Sequence, residues 1–264
     1  MNRERKIEDI VFGIRTVIEA VNQGKTINKV LIQKGLTGDL IKELLVLLNK
    51  HKILIQKVPV QKLNHMVKKN HQGVIAMISP VAYHELDWVV QSIYEKGEDP
   101  FVLVLDRIKD VRNFGAIART AECFGVHAIV IPSKDAALIT SDAIKTSAGA
   151  LYKIPVCKVN HLNSAIDFIK GCGLKVFACS EKASLLVNEI NHSGPLALVM
   201  GSEEDGIEEK LLRNSDVQFA IPMKGDIESL NVSVASAVAI YALNHNEYSV
   251  HFIPIFFKSC QNLG

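Results

Sequence analysis

The feature that most constrains this chain is a series of short, continuous apolar runs set apart by helix-length segments. They read "FVLVLD" (101–106), "HAIVIP" (127–132), "IPVCKV" (154–159), "LKVFACS" (174–180), "LALVMG" (196–201) and "VQFAIP" (217–222). A strand with one face in water alternates apolar and polar residues, whereas a strand buried on both faces reads as an unbroken apolar run. Short runs of the second kind, with helical patterns between them, predict a parallel sheet covered by helices on both faces. The expected fold class is therefore α/β.

The first third repeats the alternation on a smaller scale. "GIRTVIEAVNQG" places Ile14, Val17, Ile18 and Val21 at helical spacing and stops at Gly24. "INKVLIQ", "KILIQKV" and "GVIAMIS" read as strands, with helices in "GDLIKELLVLLNKH" and "VQKLNHMVKK". Residues 81–98 follow as a Pro-initiated linker with a helix. The sequence predicts a small α/β unit over 1–80, that linker, a larger α/β unit over 99–247, and an aromatic tail over 248–264.

Charge is divided along the same line. Residues 1–80 hold 14 Lys and Arg against 6 Asp and Glu, and the remainder holds 16 against 22, so a net +2 conceals a basic first third. That asymmetry suits a unit that meets a polyanion, although lysines also serve simply to solvate a surface. No apolar run reaches the roughly 18 residues of a membrane span. The N-terminus lacks the apolar core of a signal peptide. Five cysteines without a C-x-x-C pair favour reduced thiols in a cytoplasmic protein over disulfides or zinc, and no metal cluster is expected.

In an open α/β sheet, ligands gather beyond the C-terminal ends of the strands. Three such places carry chemistry. After 101–106 comes "RIKDVRNFGAIARTAECFGV", where Asn113 is either the N-cap of the next helix or a functional amide, and Arg119 is either a solvated helix residue or a ligand contact. After 196–201 comes "SEEDGIEEKLL", with Glu203 and Glu204 between two glycines. It is neither a Walker A loop nor a G-x-G-x-x-G fingerprint. After 217–222 comes "MKGDIESLNVSVASAVAIYAL", a helix entered through Ser229 and Asn231 that offers backbone N–H groups, hydroxyls and an amide to a polar ligand, or merely a capped start.

In this order, "NFGAIARTAECFGV", "LVMGSEEDGI" and "IPMKGDIESLNVSVASAVAIY" resemble the three motifs of the SpoU (TrmH-like) RNA ribose 2′-O-methyltransferases of the SPOUT superfamily. "KTSAGALYKIPV" is similar to the small-residue segment between the first two motifs. "FGIRTVIEAV" and "HQGVIA" are similar to the ends of the family's ribosomal-protein-L30e-like RNA-binding domain. The resemblance spans residues 10–247 and is nearest to the branch that methylates a guanosine of bacterial large-subunit ribosomal RNA.

The resemblance implies a SPOUT domain with a deep C-terminal trefoil knot, an L30e-like N-terminal domain, S-adenosylmethionine (SAM) as cofactor, and a homodimer. It assigns cofactor contacts to Gly201, Ile221 and Leu230, and the catalytic and substrate-orienting set to Asn113, Arg119, Glu203, Ser229 and Asn231. Two departures stand out: Glu204 occupies a position usually held by Gly, and residues 248–264 run past the family's usual end. Transfer-RNA ribose methylation, and non-catalytic RNA binding in ribosome assembly, are the alternatives.

Overall fold

The computed structural model describes residues 9–226 and 229–244; the tail expected over 248–264 lies outside them. Two sheets organise these residues. The smaller contains β1 (Ile10–Phe12), β2 (Ile27–Gln33), β3 (Ile55–Val58) and β4 (Val74–Ile78) in the order β1-β4-β2-β3. β2 runs parallel to β3 and antiparallel to β4, which pairs antiparallel with β1. Alternation along β2 sorts its side chains to two faces. Val30 and Ile32 pack with Val17, Val21, Leu44 and Leu48 of α1 (Ile14–Asn22) and α2 (Asp39–Lys50). Leu31 faces the other way, onto Leu63 of α3 (Val60–Met66). Each fully buried Leu or Val contributes roughly 1.5–3 kcal/mol, so even this small unit owns a core.

The larger sheet is parallel throughout. It contains β5 (Tyr83–His84), β6 (Phe101–Leu105), β7 (Ala128–Pro132), β8 (Val156–Val159), β9 (Lys175–Cys179), β10 (Leu196–Met200) and β11 (Val217–Phe219), ordered β11-β9-β10-β6-β7-β8-β5. The six apolar runs are six of its strands, each within three residues of the predicted ends. Val102, Val104, Ala197 and Val199 face one layer, formed by α4 (Leu86–Glu95), α7 (Leu162–Gly171) and α8 (Glu209–Asn214). Leu103, Leu105, Leu198 and Met200 face the other, formed by α5 (Val111–Cys123), α6 (Ser141–Thr146) and α9 (Val232–Asn244).

Residues 81–98 are more than the linker expected of them. Tyr83 and His84 pair with Val156 and Cys157 of β8, and Val89, Val90 and Ile93 of α4 are buried in the larger core. The two sheets meet through polar contacts. Asn28, 1% exposed, donates from Nδ2 to the carbonyls of Ile139 (2.9 Å) and Ile78 (3.3 Å), and its Oδ1 accepts from the Tyr83 hydroxyl at 2.5 Å. Lys158 Nζ donates to the Asn28 carbonyl at 3.0 Å and lies 4.8 Å from the Tyr83 ring centroid. Burial, with Lys29 nearby, lowers the Lys158 pKa to about 8, and burial raises that of Tyr83.

In chain order the sheet grows outward from β6 through β7 to β8. It then restarts on the far side, where β10 inserts between β9 and β6. The direction of winding therefore reverses between β6 and β10, where a crevice opens beyond the strand ends.

Candidate active site

Three segments that follow strands converge on this crevice. The first leads from β6 into α5. Asp110, rather than Asn113, caps α5: its Oδ1 accepts from the backbone N–H groups of Arg112 and Asn113, both at 2.8 Å. The helix thus starts two residues before Asn113, which leaves the Asn113 amide free. Gly115 lets α5 lie against α6, since a Cβ there would come within 2.7 Å of Thr146 Cβ.

The second segment follows β10. Ser202 and Gly206 exchange backbone hydrogen bonds of 3.1 and 3.0 Å, so the chain turns back on itself with Glu203, Glu204 and Asp205 at its tip. This turn sits directly on Gly201, where a Cβ would lie 2.1 Å from the carbonyl carbon of Gly206. Only glycine fits there.

The third segment leads into α9. Asn231 caps that helix, its Oδ1 accepting from the Ser233 N–H at 2.9 Å and the Ser233 hydroxyl at 2.6 Å. Its Nδ2 points the other way, to Glu203 Oε1 at 2.5 Å and Asn113 Oδ1 at 3.1 Å. Glu203 Oε1 also accepts from Asn113 Nδ2 at 2.9 Å and from the Val232 N–H at 3.3 Å. The capping and functional readings of Asn231 are therefore both satisfied by one amide, oxygen to the helix and nitrogen to the site.

Below this triangle lies a cleft of about 610 Å3 that reaches Gly201, Ile221, Ser229 and Leu230, together with Cys179 and Lys182 from the end of β9. Met200, Ile207, Val232 and Ala235 supply apolar wall, and Glu181, Glu204 and Asp205 supply acidic rim. Burial pushes the Cys179 thiol up to about 11, which keeps it neutral near pH 7.

Arg119 is the one expected site residue that this assembly leaves out. It stands exposed on α5, away from the residues lining the cleft, and among the described residues it makes no hydrogen bond or ion pair. Three helix turns carry α5 from the site end to Phe124, and the arginine falls on its outer face.

Sequence reasoning passed over two other residues, Arg107 and Asp205. Arg107 Nε and Nη2 reach the two carboxylate oxygens of Asp106 at 3.1 Å each, and Nη1 reaches Asp205 at 3.2 Å. The hydrogen bond to Asp106 chiefly raises the Arg107 pKa further. The only sequence signal was a charged pair closing an apolar strand, "LDR".

A cleft outside the carboxyl ends of parallel strands, at a reversal of strand order and with a polar, acidic rim, defines an α/β protein that binds a ligand at its switch point. Residues 100–241 match the SpoU rRNA Methylase family, and residues 10–84 match RNA 2′-O ribose methyltransferase substrate binding. A Staphylococcus haemolyticus protein assigned to the TrmH family of tRNA/rRNA methyltransferases is 35% identical over 245 residues, 92% of this chain and 98% of that one. A Bacillus subtilis protein of the same assignment is 36% identical over 233 residues, 88% and 94% of the two chains.

In fold, the chain is similar to the SpoU methyltransferase AviRb from Streptomyces viridochromogenes in complex with AdoMet. The TM-score is 0.56 at 21% identity, covering 92% of this chain and 93% of that one. An AdoMet-bound rRNA methyltransferase from Sinorhizobium meliloti gives 0.56 at 22%, covering 88% and 85%. The chain belongs to the SpoU rRNA methylase family of SAM-dependent RNA methyltransferases.

The cleft fits that cofactor. Its volume lies in the range of small-ligand sites. Its acids suit a sulfonium cation, its apolar wall suits a purine, and Gly201 brings backbone close where a side chain would intrude. Among the described residues, no helix is long and apolar enough to cross a membrane.

Proposed function

We propose that this protein transfers a methyl group to the ribose 2′-hydroxyl of a guanosine in large-subunit ribosomal RNA. The observation that carries this reading is the triangle of Asn113, Glu203 and Asn231 at the rim of the cleft, drawn from three strand-end segments. The bound cofactor supplies an electrophilic methyl group on a sulfonium, a displacement that needs neither a metal nor a covalent enzyme intermediate. What remains for the protein is to place the hydroxyl in line and to manage its proton.

Gly201, Ile221 and Leu230 hold the cofactor largely through backbone groups, and Ser229 faces the ribose. Glu203 fixes the Asn113 and Asn231 amides, which in turn orient the substrate. Arg119 stands away from the cleft of its own protomer, so in this reading it contacts the target phosphate and ribose at the cleft of a second copy. A guanidinium is protonated throughout the working pH range, so its conservative role is electrostatic stabilisation of the developing alkoxide.

The active form in this reading is a homodimer. Val234, Val238 and Tyr241 form an apolar stripe on α9 that is 48%, 37% and 53% exposed. Such a stripe suits burial against a second copy. α5, which carries Arg119, packs beside α9 with Phe124 edge-on to Tyr241, so a partner seated on α9 also meets α5.

We read residues 99–247 as the SPOUT domain, whose C-terminal segment threads a deep trefoil knot. Residues 1–80 are read as an L30e-like domain that docks structured RNA through its excess of Lys and Arg. Cys123, Cys157, Cys172 and Cys179 are free thiols, which suits a cytoplasmic setting. Ribose methylation of transfer RNA is the second reading, supported by relatives assigned to both substrates. Arg119→Ala tests the chemistry: methylation of total RNA should fall by about two orders of magnitude, and near-wild-type turnover would refute the assignment.

A further inference from the structure

Arg107 follows β6 with a φ of 56°, in the left-handed region where a side chain beyond glycine, Asn or Asp is uncommon. Its side chain explains why the chain tolerates that backbone. The guanidinium grips Asp106 with two donors. It then extends to Asp205 Oδ2 at 3.2 Å and to the Gly206 carbonyl at 3.1 Å. Asp106, 2% exposed, is held in turn by the Glu208 N–H at 2.8 Å. The turn that carries Glu203 is therefore tied to the end of β6 at residues 205, 206 and 208, while Glu203 itself points to Asn113 and Asn231.

We propose that Arg107 is a positioning residue for methyl transfer. Its fork, braced on Asp106, clamps the 202–208 turn so that the turn walls the cleft and presents Glu203 to the two asparagines. The proposal rests on reading the cleft as the cofactor site.

The two arms of the clamp differ in kind. The Asp106 arm is nearly buried, with 3% of the Asp side chain exposed, and removing its partner would strand a carboxylate inside the protein. The Asp205 arm is 66% exposed and adds little to global stability. Its effect is geometric, on a turn that has to close over Gly201. A lysine at 107 keeps a positive charge against Asp106, but a single ammonium cannot span both carboxylates as a guanidinium fork does.

The test is a double-mutant cycle with Arg107→Lys and Asp205→Asn, read by SAM titration calorimetry, single-turnover kcat and Tm, with Ile221→Arg as a separate control of the cleft. Each single variant should weaken SAM binding about tenfold, and the double variant by about the same tenfold, with the Tm of Asp205→Asn unchanged. Wild-type SAM affinity in both singles, losses that multiply to about a hundredfold, or a lowered Tm with unaltered affinity would each overturn the clamp. Ile221→Arg should lose SAM binding. If it binds normally, the cleft assignment falls and the clamp with it. If it fails to bind while the Arg107 and Asp205 variants bind normally, the clamp alone falls.

Discussion

Asn231 donates to the side-chain oxygen of Asn113 at 3.1 Å across 118 residues of chain, and both amides also donate to the same oxygen of Glu203. Amide hydrogen bonds to an ionised carboxylate are worth about 1.5–3 kcal/mol each. One acceptor that gathers three donors acts as a unit, so its loss should exceed that of either donor.

Glu203→Ala should therefore lower single-turnover methylation by about two orders of magnitude. Asn113→Ala combined with Asn231→Ala should cost less than the product of the singles. Quench-flow with radiolabelled SAM gives the rates. Independent, multiplying effects would mean that the three residues serve separate purposes.

Gly201→Ala places a Cβ 2.1 Å from the carbonyl carbon of Gly206, which is backbone and cannot swing aside. The turn has to lift. The expected result is a stability loss of about 1–3 kcal/mol in urea, with SAM binding undetectable by calorimetry. A variant that binds SAM normally would show that the turn does not wall the site.

How much of this was readable from the chain depends on what each residue answers to. Five of the parallel strands were legible because burial on both faces leaves an unbroken apolar run, as in "FVLVL", and three-residue β11 because it lies in the longer run "VQFAIP". β1 and β5 were missed because three residues and two residues carry no period, and pairing alone defines them. Asn113 was read as a candidate cap three residues late, since Asp110 offers the same chemistry nearer the strand. Asn113, Glu203 and Asn231 stood out by their places beyond strand ends, and family resemblance supplied their roles; their meeting is a product of strand order, which no local pattern encodes. Arg107 left only the charged pair of "LDR" as a mark, because a left-handed arginine looks like any other in sequence.

Lys158 should make stability depend on alkaline pH. Its folded pKa is about 8 against an ordinary 10.5. Below about 8 it is charged in both the folded and unfolded states, and the folded state bears the full cost of burying that charge. Between about 8 and 10.5 the unfolded chain holds a proton that the folded chain has shed, so stability rises with pH across this window. Urea unfolding of wild type and Lys158→Met should show the advantage of the variant shrinking from pH 8 to 10.5. Parallel curves would mean that the lysine is not buried at the junction of the two sheets.

Lys62, Lys68 and Lys69 are exposed around the end of α3, outside both cores. Reversing all three to Glu should weaken RNA binding and flatten its salt dependence by about three phosphate contacts' worth of slope. SAM affinity should stay as in wild type. Filter binding at several salt concentrations checks the first and calorimetry the second. Equal loss of both would make the first unit structural rather than RNA-docking.

The most direct measurement is a transcriptome-wide map of ribose 2′-O-methylation in ribosomal and transfer RNA from cells with and without this gene, repeated with Arg119→Ala restored in place of the wild type. The account predicts that one guanosine of large-subunit ribosomal RNA loses its methyl group in the deletion and does not regain it with the variant. Loss confined to transfer RNA, or no change at any ribose, would contradict it.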